Sequence, residues 1–197
     1  MLLAQNGGDF MLVKDVLKLC ADYLNLKELK DYLDGNVLIN NDIEEDLNNL
    51  LLAVNMVNSN LAANYFELVK TIDFIEPVSE FEYSDLSENG VIDIKSVLNR
   101  SGKSLGFQCL PEKCKLDQKE SVVVTFSYFP PKVTSDSNIT HYSKLNDVTF
   151  AMGVVAEYLF IKGAIDDAYM WDKRFKSSIF GLMRPRKNII MPAREWL

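Results

Sequence analysis

The sequence predicts an α+β fold: a bundle of about four helices with an inserted antiparallel β-sheet and an extended C-terminal arm. Three observations support this prediction. Apolar residues recur at helical spacing in residues 1–68 and again in residues 144–183. Between them, residues 69–131 contain short β-branched and aromatic segments separated by turn formers. Because one apolar face is only half a core, we expect the helices from the two chain ends to pack together.

The N-terminal region predicts two helices. The first pattern begins at Val13, continues through Leu33 and stops at Gly35. The second begins at Asn41, which forms a capping-box-like pair with Glu44. Its predicted buried face consists of Ile43, Leu47, Leu50, Leu51, Val54, Val57 and Leu61. The helix dipole favours acidic residues in the first turn of a helix. We therefore interpret the acidic residues of this turn as stabilising the helix rather than as a catalytic carboxylate pair.

The middle region predicts five strands followed by a loop. In the last strand, apolar residues alternate with a mixed set, so the sheet is expected to pack on one side. Pro130 and Pro131 end this strand, and residues 133–143 are expected to form an exposed loop. The predicted strands are residues 69–76, 78–83, 91–98, 104–110 and 121–129.

Two further helices are predicted after this loop. Asn146 is the expected N-cap of the first, which ends at Gly163. In the second, Asp172 and Lys176 form a favourable i,i+4 pair, and Pro185 closes the helix. The inward residues of the first are predicted to be Val148, Met152, Val155 and Leu159, and those of the second Ala168, Trp171, Phe175 and Ile179.

Charge is distributed unevenly along the chain. The net charge is −7, yet residues 173–197 hold seven basic residues and one acid, a local +6 that leaves −13 for residues 1–172. The net negative charge of residues 1–172 argues against a protein that binds nucleic acid over most of its surface. The basic C-terminal arm, residues 184–197, is instead expected to bind an acidic protein face. The predicted binding residues are Arg184, Arg186, Lys187, Ile189, Ile190, Arg194 and Trp196.

An arm that binds a different patch on an identical copy makes a heterologous contact, which generates a ring or a filament. We therefore expect a homo-oligomer. The alternative is an arm folded back on its own chain.

No recognised catalytic motif is present, and we predict that the chain is not an enzyme and uses no cofactor or metal. His141 is the only histidine, which excludes a metal site with two imidazoles within one chain. Zinc binding by Cys109, Cys114 and His141 is a minor alternative because their spacing is irregular; one packed and one exposed thiol is preferred. The odd count of three cysteines indicates free thiols. A carboxylate-based enzyme with an unrecognised site is a further alternative.

Targeting signals are not expected. The first residues lack the pattern of a signal peptide, although Met11 could be the natural start. The longest apolar stretch, residues 148–161, is too short and too polar to span a bilayer, so we expect no membrane association.

Two sequence blocks of the helical regions have a distinctive composition. The first block is Leu61-Ala62-Ala63-Asn64-Tyr65-Phe66, at the end of a long apolar-striped helix. The second runs from Thr149 to Leu159 and leads to Asp166-Asp167-Ala168-Tyr169-Met170-Trp171-Asp172-Lys173-Arg174-Phe175. These blocks resemble the head-to-tail connector (adaptor) proteins of tailed bacteriophages, and the order of elements resembles that family over most of the chain.

This resemblance implies a virion structural protein of the neck or tail region, made in the host cytoplasm. Such a protein forms a ring, twelve-fold by resemblance, that binds the portal protein and joins it to tail or neck proteins. DNA passes through the centre without specific binding, which an acidic wall suits because it repels phosphates. The arm would reach the portal or a neighbouring subunit. The alternative is a soluble regulatory or interaction protein whose basic arm binds an acidic partner.

Overall fold

The computed structural model describes residues 11–139, 142 and 144–183. Within this part, six helices and a four-stranded antiparallel sheet confirm the predicted α+β class. The helices are α1 (Val13–Leu24), α2 (Lys27–Leu33), α3 (Asn41–Asn64), α4 (Tyr83–Leu86), α5 (Asp147–Ile161) and α6 (Ile165–Met183). The strands are β1 (Met11–Leu12), β2 (Val69–Glu82), β3 (Val91–Asn99), β4 (Phe107–Cys109), β5 (Lys113–Tyr128) and β6 (Asn138–Ile139).

The first helical pattern forms two helices, not one continuous helix as predicted. Asn25 adopts a left-handed φ of 56°, which asparagine tolerates better than most residues. The Leu26 N–H then donates to the Ala21 carbonyl at 2.9 Å and closes α1. The described chain therefore has five helices of seven residues or more, rather than about four.

Helix α3 follows the predicted pattern with one correction at its start. The N-cap is Asn40 rather than Asn41, and its Oδ1 accepts a hydrogen bond from the Ile43 N–H at 2.8 Å. Five of the seven predicted inward residues are buried, and Leu47 and Leu51 are half-buried. The buried five are Ile43, Leu50, Val54, Val57 and Leu61.

Helix α5 lies at the centre of the helical body, where it packs on α1, α3 and α6. Its N-cap is Asn146 as predicted, and Asn146 Oδ1 accepts from the Thr149 N–H at 2.8 Å. Of the four predicted inward residues, Val155 is buried and Met152 and Leu159 pack half-buried against the helical core, but contact on several sides buries residues around most of the helix. Val148 is 41% exposed, whereas Phe150 and Val154 are fully buried.

A polar cluster joins α5 to the start of α3. The Tyr158 hydroxyl donates to Asp46 Oδ1 at 2.6 Å, and Lys162 Nζ lies 2.6 Å from Glu45 Oε1 and 3.2 Å from Asp46 Oδ1. Burial, followed by this hydrogen bond, raises the pKa of Tyr158. The hydrogen bond to Glu45 raises the pKa of Lys162. The last turn of α5 therefore lies beside the first turns of α3, and the two helices run antiparallel.

The segment after Pro131 is only partly the exposed loop that the sequence predicts: Thr134, Asp136 and Asn138 are exposed, but three other residues are not. Val133, Ile139 and Tyr142 are buried in the helical core. Asn55 of α3 holds the segment: its Nδ2 donates to the Val133 carbonyl at 3.1 Å, and its Oδ1 accepts from the Val133 N–H at 2.8 Å. Strand β6 then pairs with β1, so this polar sequence is packed against the body at both ends.

The inserted sheet is built around β5. Strand β2 pairs along most of β5 on one side, and β3 and β4 pair with different parts of β5 on the other. Two predicted strands, 69–76 and 78–83, are one strand with irregular pairing between Phe74 and Glu80. Strand β5 begins at Lys113 rather than at residue 121, and β4 is shorter than the predicted 104–110. The register places Val69 opposite Ser127, so the chain enters and leaves the sheet at adjacent points.

Two hydrophobic cores occur in the described part of the chain, and they share no residue. The helical core draws on α1, α2, α3, α5, α6 and the segment around Val133. The sheet core lies on one face of β5, where Val122, Val124 and Phe126 are fully buried. This burial confirms that the strand packs on its apolar face.

Candidate interaction surfaces

The predicted binding residues of the arm lie outside the described part of the chain. They are Arg184, Arg186, Lys187, Ile189, Ile190, Arg194 and Trp196. His141 also lies outside it. The last described residue of α6, Met183, immediately precedes the arm, so any exposed surface on α6 adjoins the basic segment in sequence.

The loop between α2 and α3 exposes three consecutive apolar residues, Val37, Leu38 and Ile39, which we call the loop patch. Leu38 is 90% exposed. A run of three exposed apolar side chains is unfavourable in water unless a partner covers it. The loop patch is therefore a candidate contact surface.

Both ends of this loop are fixed to the helical body. At its start, Lys18 of α1 forms an ion pair with Asp34, and the hydrogen bond from Lys18 lowers the pKa of the Asp34 carboxyl. At its end, Asn40 caps α3. A loop fixed at both ends presents its apolar side chains with a smaller loss of conformational entropy on binding than a freely moving loop.

One side of helix α6 carries two exposed apolar pairs, Ile165 with Tyr169 near its start and Phe180 with Met183 at its end, with the charged Asp172 and Lys176 between them. At 3.6 residues per turn the four apolar residues fall within about 60° around the helix axis. We call these four residues the α6 row. Tyr169 is 62% exposed although its ring meets Phe160 edge-on at 5.4 Å. The Asp172–Lys176 ion pair, predicted from the sequence, is present at 2.7 Å.

Contacts at its two ends place the α6 row along the body. Helix α6 starts just after α5, beside the first turns of α3, and near its other end Phe180 meets Tyr65 edge-on at 6.3 Å. Tyr65 follows the last residue of α3. The α6 row therefore extends along much of the helical body, whereas the loop patch lies at the end where α3 begins.

Clefts on the described surface are open to solvent. One of about 350 Å³ lies between the turn after α1 and the start of α3, where Lys27, Glu28, Asp42 and Asp46 line it. Among residues 11–139, 142 and 144–183, no group of three His, Cys, Asp or Glu side chains could hold a metal ion. Cys109 is exposed and Cys114 is buried, as the preferred sequence interpretation states.

Sequence reasoning missed both apolar surfaces. The sequence contains a signal for the loop patch, because Val37-Leu38-Ile39 lies between the turn former Gly35 and the cap Asn40. This segment is too short to form a further helix or strand of the core. The α6 row has a weaker signal, because Ile165 and Tyr169 lie beside the predicted buried stripe and differ from it only by a rotation about the helix axis.

No protein-family model and no curated protein sequence matches the chain. None of the helices in the described part of the chain is long and apolar enough to cross a membrane.

Proposed function

We propose that the chain is a head-to-tail connector of a tailed bacteriophage, a virion structural protein of the neck. Copies assemble as a ring under the portal, join it to the tail, and leave a central channel for DNA. The observation that carries the proposal is the pair of exposed apolar surfaces on the helical body, the loop patch and the α6 row. The sequence resemblance supplies the class of protein.

Two different apolar surfaces on one chain favour a heterologous contact between copies. In such a contact, the loop patch of one copy meets a surface other than the loop patch of the next, and a closed series of these contacts is a ring. The α6 row is one exposed surface of apolar character that the described chain offers for this contact. A ring of about twelve copies follows from the resemblance, not from the contact itself.

The charge distribution supports a channel and a portal-binding arm. Residues 1–172 carry a net charge of −13, and an acidic surface repels DNA phosphates, whereas a basic one holds them through counterion release. Of the +6 on residues 173–197, +3 comes from Lys173, Arg174 and Lys176 within α6, and +3 comes from residues 184–197, which follow Met183 in the sequence. We therefore assign this basic segment to contact with the portal or with the acidic body of a neighbouring copy.

Negative-stain electron microscopy tests this proposal. The full-length chain is imaged alone and after mixing with the portal protein encoded in the same genome. We expect an additional ring of density on one end of the portal particle. A chain that stays monomeric by sedimentation velocity, and adds no density to the portal, contradicts the proposal.

A matched pair of variants tests the role of the loop patch. Leu38→Asp puts a charge on the patch, and Ile75→Asp puts the same charge on an apolar side chain that is 69% exposed on β2. We expect Leu38→Asp to abolish ring formation and Ile75→Asp to leave it intact, with both variants folded by circular dichroism. Equal assembly of the two variants contradicts the assignment of the loop patch.

A soluble regulatory or interaction protein is the second candidate function, favoured by the asymmetry between the acidic body and the basic arm. Deletion of residues 184–197 distinguishes this function from that of a connector. A regulatory protein loses its acidic partner without any effect on particle assembly. A connector lacking the arm yields particles in which the portal and the tail fail to join.

A further inference from the structure

The hairpin formed by β4 and β5 places two cysteines directly opposite each other. The register pairs Cys109 with Cys114 as it pairs Phe107 with Leu116. Side chains of directly opposed residues in an antiparallel ladder lie on the same face. The two thiols are therefore neighbours across the strands, near the tip of the hairpin.

The hydrogen bonds of the hairpin show whether Cys109 and Cys114 form a hydrogen-bonded or a non-hydrogen-bonded pair. The Leu110 N–H donates to the Lys113 carbonyl at 2.9 Å, and the Asp117 N–H donates to the Gly106 carbonyl at 3.1 Å. Bonded and non-bonded pairs alternate along an antiparallel ladder, so Cys109 and Cys114 form a non-hydrogen-bonded pair. The Cα atoms of such a pair are about 4.5 Å apart, within the range of about 4.4–6.8 Å that a disulfide requires.

The two thiols differ in exposure. Cys109 lies on the short strand β4 and is exposed, whereas Cys114 is buried between Cys109 and Phe81, its partner on β2. Burial, together with the nearby Cys109 thiol, raises the pKa of Cys114 to about 12. A reagent in solution therefore reaches the Cys109 thiol first. Cys114 lies beside Cys109 and can then react with the modified Cys109.

The third cysteine is separated from this pair. Cys20 is buried in the helical core, where its thiol donates to the Ala151 carbonyl with a sulfur–oxygen distance of 3.7 Å. Cys109 and Cys114 belong to the sheet, whose core shares no residue with the helical core. Cys20 therefore has no access to either thiol in the folded chain.

We propose that Cys109 and Cys114 are a thiol modification site that a low-molecular-weight disulfide, such as oxidised glutathione, converts to a cross-strand disulfide. The Cys109 thiolate attacks one sulfur of the reagent, the reagent S–S bond breaks, and one thiolate leaves. Cys114 then loses its proton to water and attacks Cys109 Sγ. The protein S–S bond forms and the second thiolate leaves. Two protein thiols are oxidised, and one reagent disulfide is reduced to two thiols.

Intact-protein mass spectrometry of the full-length chain with oxidised glutathione tests this proposal. We expect the folded protein to lose two hydrogen atoms in mass, and peptide mapping to place the bond between Cys109 and Cys114. Closure should accelerate about tenfold per pH unit between about pH 7 and pH 9, because Cys114 reacts as its thiolate.

Three variants identify the role of each thiol. Cys114→Ala should retain one glutathione on Cys109, because no second thiol displaces it. Cys109→Ala should remain unmodified, and Cys20→Ala should close like the parent chain. A parent protein that stays unmodified, keeps its glutathione adduct at about pH 9, or forms a bond through Cys20 or between two chains overturns the proposal.

Discussion

Asn58 is a polar side chain inside the helical core. It is 1% exposed, and neither its amide nitrogen nor its amide oxygen has a hydrogen-bond partner within the part of the chain that the structure describes. Burial of an amide without hydrogen bonds is unfavourable. By contrast, Asn55, one turn earlier on α3, bonds to the Leu51 carbonyl and to both backbone groups of Val133.

We expect Asn58→Leu to raise the free energy of unfolding by about 1–3 kcal/mol, because leucine has the same branched shape and nothing to desolvate. Asn55→Leu is the matched control. It should lower stability by about 1–3 kcal/mol, since it leaves the Val133 backbone groups without partners. Urea unfolding measures both changes. A loss of stability in Asn58→Leu similar to that of the control contradicts this prediction.

Glu157 makes stability depend on pH. Burial, and then the nearby Asp172 carboxylate, raise its pKa above the ordinary value of 4.5, with Lys176 opposing. A carboxyl with a raised folded-state pKa stabilises the fold below its unfolded-state pKa, and this contribution is lost as pH rises through the folded-state pKa. Ionised Glu157 therefore destabilises the fold at neutral pH.

We expect Glu157→Gln to raise stability at pH 7 by less than about 1 kcal/mol, because partial exposure screens the charge. Below the ordinary glutamate pKa the variant and the parent should be equally stable. Urea unfolding of both proteins on either side of that pKa checks the prediction. A stability difference that does not change with pH is the contradictory result.

At the scale of elements, Gly153 sets the distance between α5 and α6. A Cβ atom at this position would lie 2.9–3.1 Å from atoms of the Phe175 ring, which is itself buried. These distances are shorter than ordinary carbon contacts, and a buried ring has little room to move. Glycine is therefore needed here for close helix packing.

Gly153→Ala should destabilise the protein by up to about 2 kcal/mol, because overpacking outweighs the gain in helix propensity. Gly181→Ala on α6 is the control, since a Cβ there meets nothing within 4 Å. It should be neutral or stabilising by up to about 1 kcal/mol. Thermal unfolding distinguishes the two, and a stabilised Gly153→Ala variant disproves the packing argument.

The sequence predicts elements best where burial is one-sided and periodic. Helix α3 shows this, because its apolar residues repeat along one face over its whole length. The pattern fails for α5, which is buried around most of its circumference. It also fails in the first half of β5, where Cys114 and Leu116 are the core-facing residues and the others are polar.

The candidate surfaces were less predictable than the elements. The arm is predicted from its basic residues and from the apolar Ile189, Ile190 and Trp196, and this prediction requires no folded structure. The loop patch and the α6 row depend on which apolar residues remain uncovered after packing, and periodicity does not determine this. Ile165 and Ile179 lie on the same helix, yet one is exposed and the other is fully buried.

At the scale of the whole molecule, the helical body should fold without the sheet. The two cores share no residue, and the Tyr128 N–H donates to the Leu68 carbonyl at 3.1 Å, so the chain ends left by removing the sheet are already adjacent. A short linker can close such a gap with a small entropic cost.

We expect a chain in which residues 69–127 are replaced by a short Gly-Ser linker to retain helical circular dichroism and to unfold cooperatively. Its stability should be lower than that of the parent, because contacts at the base of the sheet are lost. A non-cooperative transition with dye-binding apolar surface, as in a molten globule, contradicts this expectation.

The chain enters and leaves the sheet at adjacent points, and this limits where related chains can diverge. Since both strands at the base of the sheet return to the same point on the helices, the whole segment can lengthen, shrink or be exchanged without changing the path of the remaining backbone. We expect homologous chains to align well in the helices and to differ most between residues 69 and 128.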